Sequence, residues 1–299
     1  MAEQTQEKPF KSGFIAIIGR PNVGKSTLLN AVIGEKISIV SQKPQTTRNI
    51  VRGVANFDDA QIIFIDTPGI HKGSGLLTRF MLREAMSSLD NADAVLYLIE
   101  AGKEINEDDL LIIENFKRLK NPVILAINKV DAVNKQDILP LIKTCSGLFP
   151  FKDIIPISAL KKDGVETLLK LIKAILPEGP KYFPEDIMTD QPERFITAEM
   201  IREKIFLFTK DEIPYSAAVA VESFKEKKNL ISISATIHVE RDSQKGIIIG
   251  KGGAMLKRIG TAAREDIERL LGTKVFLELF VRVEKDWGKK PDVMKGFGY

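Results

Sequence analysis

The sequence has very little cysteine and no long apolar run. Only Cys145 among its 299 residues is a cysteine, which excludes an intramolecular disulfide and fits a reducing compartment. We expect Cys145 to be a small buried side chain without redox function. No apolar run approaches the roughly 18 residues of a membrane-spanning helix, and the polar N-terminus lacks the apolar core of a secretion signal. These absences predict a cytoplasmic protein.

Net charge is also scarce, and it lies in one third of the chain. Residues 1–194 carry 25 basic and 25 acidic side chains, so the whole excess of +4 falls in residues 195–299. Within that third, residues 243–264 contain five basic side chains and no acidic one. This stretch is either a solvated helix face or an anion-binding patch, and charge alone leaves both open.

Five short segments of the first half have the continuous hydrophobicity of buried parallel strands. Amphipathic helical patterns separate them, which predicts an open, doubly wound α/β domain whose ligands bind at the carboxyl ends of the strands. A further strand near residues 51–57 is expected to pair antiparallel with the second segment. The five segments are residues 14–19, 61–66, 94–100, 122–129 and 153–158.

The motif GRPNVGKS follows the first predicted strand and fits the pattern G-x-x-x-x-G-K-[ST]. Glycines let successive backbone N–H groups converge on phosphate oxygens. Lys25 is expected to reach the β and γ phosphates, and the Ser26 hydroxyl to bind Mg²⁺. A plain turn before a helix is the alternative. The predicted nucleotide-binding residues here are Gly19, Arg20, Pro21, Asn22, Val23, Gly24, Lys25, Ser26 and Thr27.

The motif NKVD follows the fourth predicted strand and indicates which base is bound. The Asp131 carboxylate can accept two hydrogen bonds from guanine, whereas adenine would leave it unpaired. The motif SAL follows the fifth strand, where the Ala159 N–H can meet guanine O6. The residues assigned to the guanine are Asn128, Lys129, Val130, Asp131, Ser158, Ala159 and Leu160.

The motif DTPG, formed by Asp66, Thr67, Pro68 and Gly69, lies at the carboxyl end of the second predicted strand. Asp66 is expected to hold Mg²⁺ through water. The Gly69 N–H is expected to face the γ phosphate, because a glycine permits close backbone approach.

Two loops near these motifs are predicted switches. Thr46 and Thr47 lie in a loop with few apolar anchors, and Thr47 is the better candidate to bind Mg²⁺ when the γ phosphate is present. Residues 38–50 and 69–80 would then be ordered by GTP and released on hydrolysis. A plain connecting loop is the alternative for each.

The second half begins after a proline-rich stretch. Four prolines between residues 177 and 192 predict a linker at residues 181–194, which separates a nucleotide-binding domain at 1–180 from a second domain at 195–299. The sequence of the second domain predicts a helix, two strands, a glycine-rich turn, a helix and a strand, in this order. This order predicts a smaller α+β domain with a three-stranded sheet.

The glycine-rich turn, IIGKGGAM, contains the pattern G-x-x-G between two helical segments. Such a loop can press its backbone against a nucleic-acid backbone, and the basic stretch around it favours single-stranded RNA. A glycine break in a degenerate domain is the alternative, and core packing is an equal alternative for the isoleucines. The predicted RNA-binding residues are Ile248, Ile249, Gly250, Lys251, Gly252, Gly253, Lys257 and Arg258.

The motifs GRPNVGKS, TTR, DTPG, NKVD and SAL, in this order, resemble the Ras-like P-loop GTPases of the TrmE, Era and EngA type. The second domain resembles a type II KH domain, and together the two resemble the Era family of bacterial GTPases over essentially the whole chain. This resemblance implies binding of GTP, GDP and Mg²⁺, GTP hydrolysis, and a role in assembling the 30S ribosomal subunit by binding near the 3′ end of 16S rRNA. It also implies some peripheral membrane association, at the inner face of the cell membrane. We expect a monomer.

One position departs from Ras-like signalling proteins. Ile70 stands where they carry a catalytic glutamine, and it cannot orient water, so slow intrinsic hydrolysis is expected. The resemblance implies that Asn22 helps to bind K⁺ near the phosphates, although Asn22 could merely cap the loop. We group Lys25, Thr47, Asn22 and Gly69 as catalytic residues and expect His71 to be a solvent-exposed switch residue.

Two other functions compete. A tRNA-modification GTPase should carry a folate-binding region and C-terminal cysteine chemistry, and this sequence has neither. A regulatory switch that acts on protein partners, with the second domain as a docking module, remains open.

Overall fold

The computed structural model describes residues 9–41, 43–73 and 75–299. Residues 1–8, which include most of the predicted polar N-terminus, and one residue of each predicted switch, Gln42 and Ser74, lie outside the described residues. The chain divides into two compact units. The first comprises residues up to Gly34, Ile50–His71 and Arg83–Asp190, and the second comprises Glu35–Asn49, Lys72–Leu82 and Gln191–Tyr299.

The first unit is built on a six-stranded sheet in the order β2-β3-β1-β4-β5-β6. All neighbouring pairs are parallel except β2 and β3, which form the predicted antiparallel hairpin. The central strands are buried almost throughout, which explains their continuous hydrophobicity. The strands are β1 (Lys11–Gly19), β2 (Val51–Asn56), β3 (Ala60–Asp66), β4 (Ala94–Glu100), β5 (Val123–Asn128) and β6 (Asp153–Pro156).

Helices connect these strands, as the alternating pattern predicts. The structure confirms the predicted helical patterns and adds α4, which the sequence did not reveal because Pro140 interrupts its start. Proline is tolerated there because the N–H groups of the first helical turn have no partner within the helix. The helices are α1 (Lys25–Ile33), α2 (Leu76–Asp90), α3 (Glu107–Phe116), α4 (Ile138–Leu148) and α5 (Val165–Ile175).

Cys145 lies on α4 with 2% of its surface exposed, as expected. Burial raises the pKa of its thiol to about 11, so little reactive thiolate forms at neutral pH.

The proline-rich stretch is fastened to the edge strand β2 and its neighbour β3. Gln61 on β3 accepts hydrogen bonds from the N–H groups of Tyr182 and Phe183 at 2.7 and 3.0 Å. The Val54 N–H on β2 donates to Met188 O at 2.8 Å. The prolines therefore prevent a helix here, but the stretch is not a free linker. Residues up to Asp190 belong to the first unit.

The second unit contains the predicted order of helix, two strands, two helices and a strand. Its sheet has the order β7-β8-β9, with β8 antiparallel to β7 and parallel to β9. The short helices α7 and α10 had no clear signal in the sequence. The elements are α6 (Glu193–Phe208), α7 (Ile213–Ser216), β7 (Ala218–Lys227), β8 (Leu230–Val239), α8 (Asp242–Ile249), α9 (Ala254–Leu271), β9 (Val275–Val283) and α10 (Pro291–Gly296).

The core of this unit lies between the helices and one face of the sheet. On α9, a stripe of Ile259, Ala263 and Ile267 is fully buried. Burial alternates along β9, because Val275 and Val281 face the core while the residues between them point outward or are half-buried. In the described part of the chain, no helix is both long and apolar enough to cross a membrane.

Candidate functional site

The first motif forms a tight loop between β1 and α1. Gly24 has φ +102°, and a Cβ atom at this position would lie 2.2 Å from Nδ2 of Asn128. At Gly19, a Cβ atom would lie 2.4 Å from the backbone oxygen of Leu98. Both positions therefore require glycine, and the loop presents main chain where the sequence predicts phosphate.

Lys25 is buried at the start of α1. Its ammonium donates to Gly19 O at 3.1 Å and to Arg20 O at 2.9 Å, so it spans the inside of the loop. Burial lowers the pKa of Lys25 from 10.5 to about 8, although the charge of Asp66 opposes this shift. A buried ammonium in this position fits a phosphate ligand, whose negative charge would offset the cost of burial.

Ser26 and Asp66, which were both predicted to bind Mg²⁺, lie side by side in the structure. The Ser26 hydroxyl donates to Oδ2 of Asp66 at 2.7 Å. Two adjacent oxygen donors fit Mg²⁺, which prefers one or two protein ligands together with water and phosphate oxygens. Thr67, assigned to the nucleotide, instead donates its hydroxyl to Ile17 O at 2.7 Å and holds β3 against β1.

The backbone after β3 lies close to the phosphate loop. A Cβ atom on Gly69 would lie 2.6 Å from the backbone nitrogen of Pro21, and the Ile70 N–H donates to Gly19 O at 3.1 Å. The Ile70 side chain is 1% exposed, so it can neither contact nor orient water. His71, expected to be solvent-exposed, is half-buried, and its Nδ1 lies 3.1 Å from Gly69 O.

Asn128, the first residue of NKVD, connects the phosphate loop with the motif SAL. Its Nδ2 donates to Val23 O in the phosphate loop at 2.7 Å, and its Oδ1 accepts from the Ala159 N–H at 2.9 Å. The Ala159 N–H, assigned to guanine O6, is thus held by Asn128 in this structure. Asn128 fixes the spacing between the phosphate loop and the guanine motifs, a role that the sequence did not indicate.

The guanine end of the site is more open. Asp131 is exposed directly after β5, where its carboxylate can accept hydrogen bonds from a base. Lys129 has φ +65°, and its ammonium lies 2.8 Å from Glu100. Ser158 is fully buried, whereas Leu160 is 72% exposed.

A buried network supports the phosphate loop from behind. Nε of Arg20 lies 3.1 Å from the carboxylate of Asp109, which is fully buried. Asp109 also accepts from the Tyr97 hydroxyl at 2.7 Å and from the Asn106 N–H at 3.1 Å. Arg20, assigned to nucleotide binding, therefore positions the loop. The capping box of Asn106 and Asp109 at the start of α3 was the available signal in the sequence.

The segment Glu35–Asn49, which holds most of the first predicted switch, belongs to the second unit. The ammonium of Lys36 lies 2.5 Å from Glu203 on α6 and 2.8 Å from Asp266 on α9. Lys204 lies 2.9 Å from Glu203 and 2.5 Å from Asp266, which completes a network of four charges. The segment is therefore bound to the helix that follows the G-x-x-G loop.

Arg48 anchors the other end of this segment. Its buried guanidinium donates to Ala217 O at 2.9 Å, to Tyr215 O at 2.8 Å and to Pro214 O at 3.2 Å. It also lies 5.7 Å from the ring centre of Trp287. Such a planar, five-donor group in an aromatic cage holds a loop in one geometry.

Thr46 and Thr47 lie between these anchors, and the Thr46 carbonyl accepts a hydrogen bond from Arg202 on α6. The Mg²⁺ role of Thr47 stays a prediction. Most of the second predicted switch, residues 69–80, also belongs to the second unit, within the segment Lys72–Leu82, where Leu77 and Phe80 pack against Trp287 and its neighbours.

The G-x-x-G loop has the backbone that its glycines predict. Gly250, Gly252 and Gly253 have φ values of +72°, +59° and +80°, and Lys251 between them is exposed. Side chains other than glycine are strained in this region, so the three glycines let the main chain turn sharply and approach a ligand.

A groove of about 500 Å³ begins at this loop and runs between α9 and β9. It combines apolar walls with basic side chains, which suits bases and phosphates respectively. Of the predicted RNA-binding residues it includes Gly253 and Lys257. The complete lining is Gly253, Leu256, Lys257, Gly260, Thr261, Arg264, Val275, Phe276, Leu277 and Leu279.

For the two isoleucines the structure favours the alternative of core packing, because Ile248 is fully buried and Ile249 packs partly against the core. Arg258 is exposed, and its guanidinium lies 4.1 Å from the ring centre of Phe208 on α6, outside the groove lining. The RNA contact of Arg258 stays a prediction. The sequence missed Phe276, because the sheet edge that lines the groove is set by tertiary structure.

Comparison with known families covers both units. A family model described as a 50S ribosome-binding GTPase matches residues 14–129, and a KH domain model matches residues 212–288. The GTPase Era of Geobacter sp. (strain M21) is 56% identical over 98% of this chain and 99% of its own length. The GTPase Era of Ruminiclostridium cellulolyticum is 53% identical over 97% of this chain and 98% of its own.

Solved structures show the same architecture. Era in complex with MgGDPNP and nucleotides 1506–1542 of 16S ribosomal RNA has a TM-score of 0.94, with 44% identity, and the match covers 97% of this chain and 99% of that one. A variant of Aquifex aeolicus Era bound to GDP.AlF4- gives the same TM-score, identity and coverage.

Proposed function

The chain belongs to the Era family of GTPases, and from that premise we propose that it couples its nucleotide state to binding of the 3′ region of 16S rRNA during assembly of the 30S subunit. It is a GTPase with a Ras-like P-loop domain and a KH domain. The observation that carries the coupling is the ion pair between Lys36, two residues before the first predicted switch, and Asp266 on the helix that lines the groove.

The residues of the first unit bind and orient the nucleotide. The main chain around Gly24 surrounds the phosphates, Lys25 supplies a positive charge, and Asp131 selects guanine. When bound, Mg²⁺ neutralises charge that develops on the phosphate oxygens. Ser26 and Asp66 would hold it, and Thr47 would join them in the GTP state.

Hydrolysis needs a replacement for the catalytic glutamine, because the Ile70 side chain is buried. Asn22 lies in the phosphate loop with φ +65°, and we assign it to a K⁺ site near the phosphates. Turnover measured in KCl should exceed turnover in NaCl at equal ionic strength, and Asn22→Ala should remove the difference. Equal rates in the two salts would contradict this assignment.

The coupling follows from how the segment Glu35–Asn49 is held. Its two ends adjoin Gly34 and Ile50 of the first unit. Its side chains bind the second unit, because Lys36 contacts Glu203 on α6 and Asp266 on α9. Arg48 donates to the carbonyl oxygen of Ala217. A change in the segment when GTP replaces GDP would therefore act directly on α9, which carries Lys257 and Arg264 into the groove.

The experiment that tests this function is RNA crosslinking to the purified protein, followed by sequencing of the bound RNA. Enrichment of the 3′ end of 16S rRNA is expected, and Lys251→Ala should reduce it. Enrichment of tRNA, or of no RNA, would refute the proposal and leave a switch that acts on protein partners.

Three further features belong to this proposal: a cytoplasmic location, a monomeric state and peripheral attachment to the inner face of the cell membrane. Flotation with anionic lipid vesicles tests the attachment, and sedimentation equilibrium tests the monomer. Protein that stays at the bottom of the gradient, or that sediments as a dimer, would contradict the respective feature.

A further inference from the structure

The outer face of the three-stranded sheet carries two isolated, exposed aromatic rings. Phe276 and Phe280 on β9 are 51% and 50% exposed, while Val275 and Val281 on the opposite face enter the core. The two rings are four residue steps apart along the strand, a span of about 13 Å. They are among the most exposed large apolar side chains of the second unit.

The C-terminal segment covers only the other end of this face. The ring of Phe297 lies 4.4 Å from the ring of His238 on β8, and Ala218 on β7 is fully buried beneath the same segment. His238 pairs with Arg282 in the sheet, beyond Phe280 along β9. The end that carries Phe276 and Phe280 therefore stays accessible.

Polar side chains separate the two rings. In the sheet register Ser232 lies beside Phe276 and Ser234 beside Glu278, whereas Thr236 beside Phe280 is buried and donates its hydroxyl to Glu222 at 2.6 Å. A protein-binding face would present contiguous apolar surface at its centre. Here each ring stands alone, with a size that suits one nucleobase, and the Ser234 hydroxyl and the Glu278 carboxylate between the rings can bond to base edges.

The face is continuous with the groove, because Phe276 also lines the groove opposite Lys257 and Arg264. Lys225 on β7 lies in the same row as Ser232 and Phe276 and supplies a positive charge at that end. A single-stranded RNA that leaves the groove past Phe276 would therefore contact an aromatic side chain on the outer face of the sheet.

We propose that the surface formed by Phe276, Glu278, Phe280 and Ser234 is a second RNA subsite, on which single-stranded nucleotides outside the groove stack. This subsite rests on the proposed RNA-binding function of the groove. Phe276 serves both surfaces, whereas Phe280 is absent from the groove lining and reports on the second subsite alone.

The test compares single-stranded RNAs of about four nucleotides, the length that a KH groove holds, and of about twelve nucleotides from the 3′ end of 16S rRNA. Phe280→Ala should weaken binding of the longer RNA about 5-fold to 100-fold, as expected for one lost base stack, and leave the shorter RNA unaffected. Phe280→Trp should restore the affinity.

Leu207→Ala is the matched control, because Leu207 is 53% exposed on α6, outside this face. It should bind both RNAs like the unchanged protein. Equal binding of the longer RNA by Phe280→Ala and the unchanged protein overturns the second subsite, while loss of the shorter RNA in Lys251→Ala still supports the groove. If the unchanged protein binds neither RNA, the groove function and the subsite both fail.

Discussion

The candidate nucleotide site and the proposed RNA groove are built in opposite ways. At the phosphate loop the important groups are buried and interlocked: Lys25 is 5% exposed, and Asn128, at 2%, ties two motifs together. At the groove, Lys251 is exposed and the wall is the open edge of β9. A small, highly charged ligand requires preorganised donors, whereas a flexible RNA strand can adapt to an exposed surface.

The largest expected effect concerns the choice of base. Asp131→Ala should reduce the preference for GDP over ADP by about 10⁴-fold. The variant lacks the carboxylate that accepts two hydrogen bonds from guanine and that adenine would leave unpaired. Competition binding of the two nucleotides measures this. Asp137→Ala, a nearby exposed carboxylate, is the control and should keep the preference. An unchanged preference in Asp131→Ala would show that another group reads the base.

Removal of the buried ammonium should be nearly as severe. Lys25→Ala is expected to weaken GTP binding at least about 100-fold, since charge-assisted bonds to the phosphates are lost in a buried site. RNA binding without nucleotide should not change. Calorimetry measures both, with Lys170→Ala on the surface of α5 as the control. Wild-type affinity for GTP in Lys25→Ala would contradict the role of the loop.

The third prediction tests the anchor of the first switch segment. Arg48→Ala should destabilise the second unit by about 3 kcal/mol, because several buried carbonyl oxygens lose their donor. The fluorescence of Trp287, the only tryptophan, follows unfolding in urea beside the mutated site. Arg52→Ala, which removes a partly exposed ion pair with Asp190, should cost less than about 1 kcal/mol. Equal losses in the two variants would argue against the anchor.

At the groove, single substitutions should act more weakly. Lys251→Ala is expected to weaken RNA binding about tenfold and to lower the slope of affinity against salt by about 1, as for one lost phosphate contact. GTP hydrolysis without RNA should stay at the wild-type rate. Titration at several salt concentrations measures the slope, and Lys227→Ala at the end of β7 is the control. An unchanged slope would place the phosphates elsewhere.

The smallest effect is a pH dependence. Phosphate binding favours charged Lys25, whose pKa burial lowers to about 8, so GTP affinity should fall above pH 8, by at most about tenfold per pH unit. Between pH 8 and 10.5 the unfolded chain binds more protons at this lysine than the folded protein does. Lys25 therefore makes the ligand-free protein more stable as the pH rises through that range. An affinity that stays constant from pH 7 to 9.5 would contradict the shift.

The structural features that depend on a local sequence pattern could be predicted from the sequence. The strands, the hairpin of β2 and β3, the phosphate loop and the order of the second domain are confirmed. Gly24 and Asp66 have recognisable motifs because chemistry restricts their neighbours along the chain. The burial of Ile248 could not be predicted, because both alternatives fit the same apolar run.

The partners of Lys36 and Arg48 were not predictable. Both look like ordinary surface cations in a polar loop, and their partners Asp266 and Ala217 lie more than 150 residues away. The proline-rich stretch raised the same difficulty, because its hydrogen bonds to Gln61 depend on which strand forms the sheet edge. Such contacts follow from tertiary structure and leave no local signal.

The central claim is that the nucleotide state controls RNA affinity through the segment Glu35–Asn49. The most direct measurement is the dissociation constant for a single strand from the 3′ end of 16S rRNA, determined with a non-hydrolysable GTP analogue and with GDP, for the unchanged protein and for Lys36→Ala. We expect tighter binding with the GTP analogue and a smaller difference in Lys36→Ala. Identical affinities with both nucleotides in the unchanged protein would contradict the account.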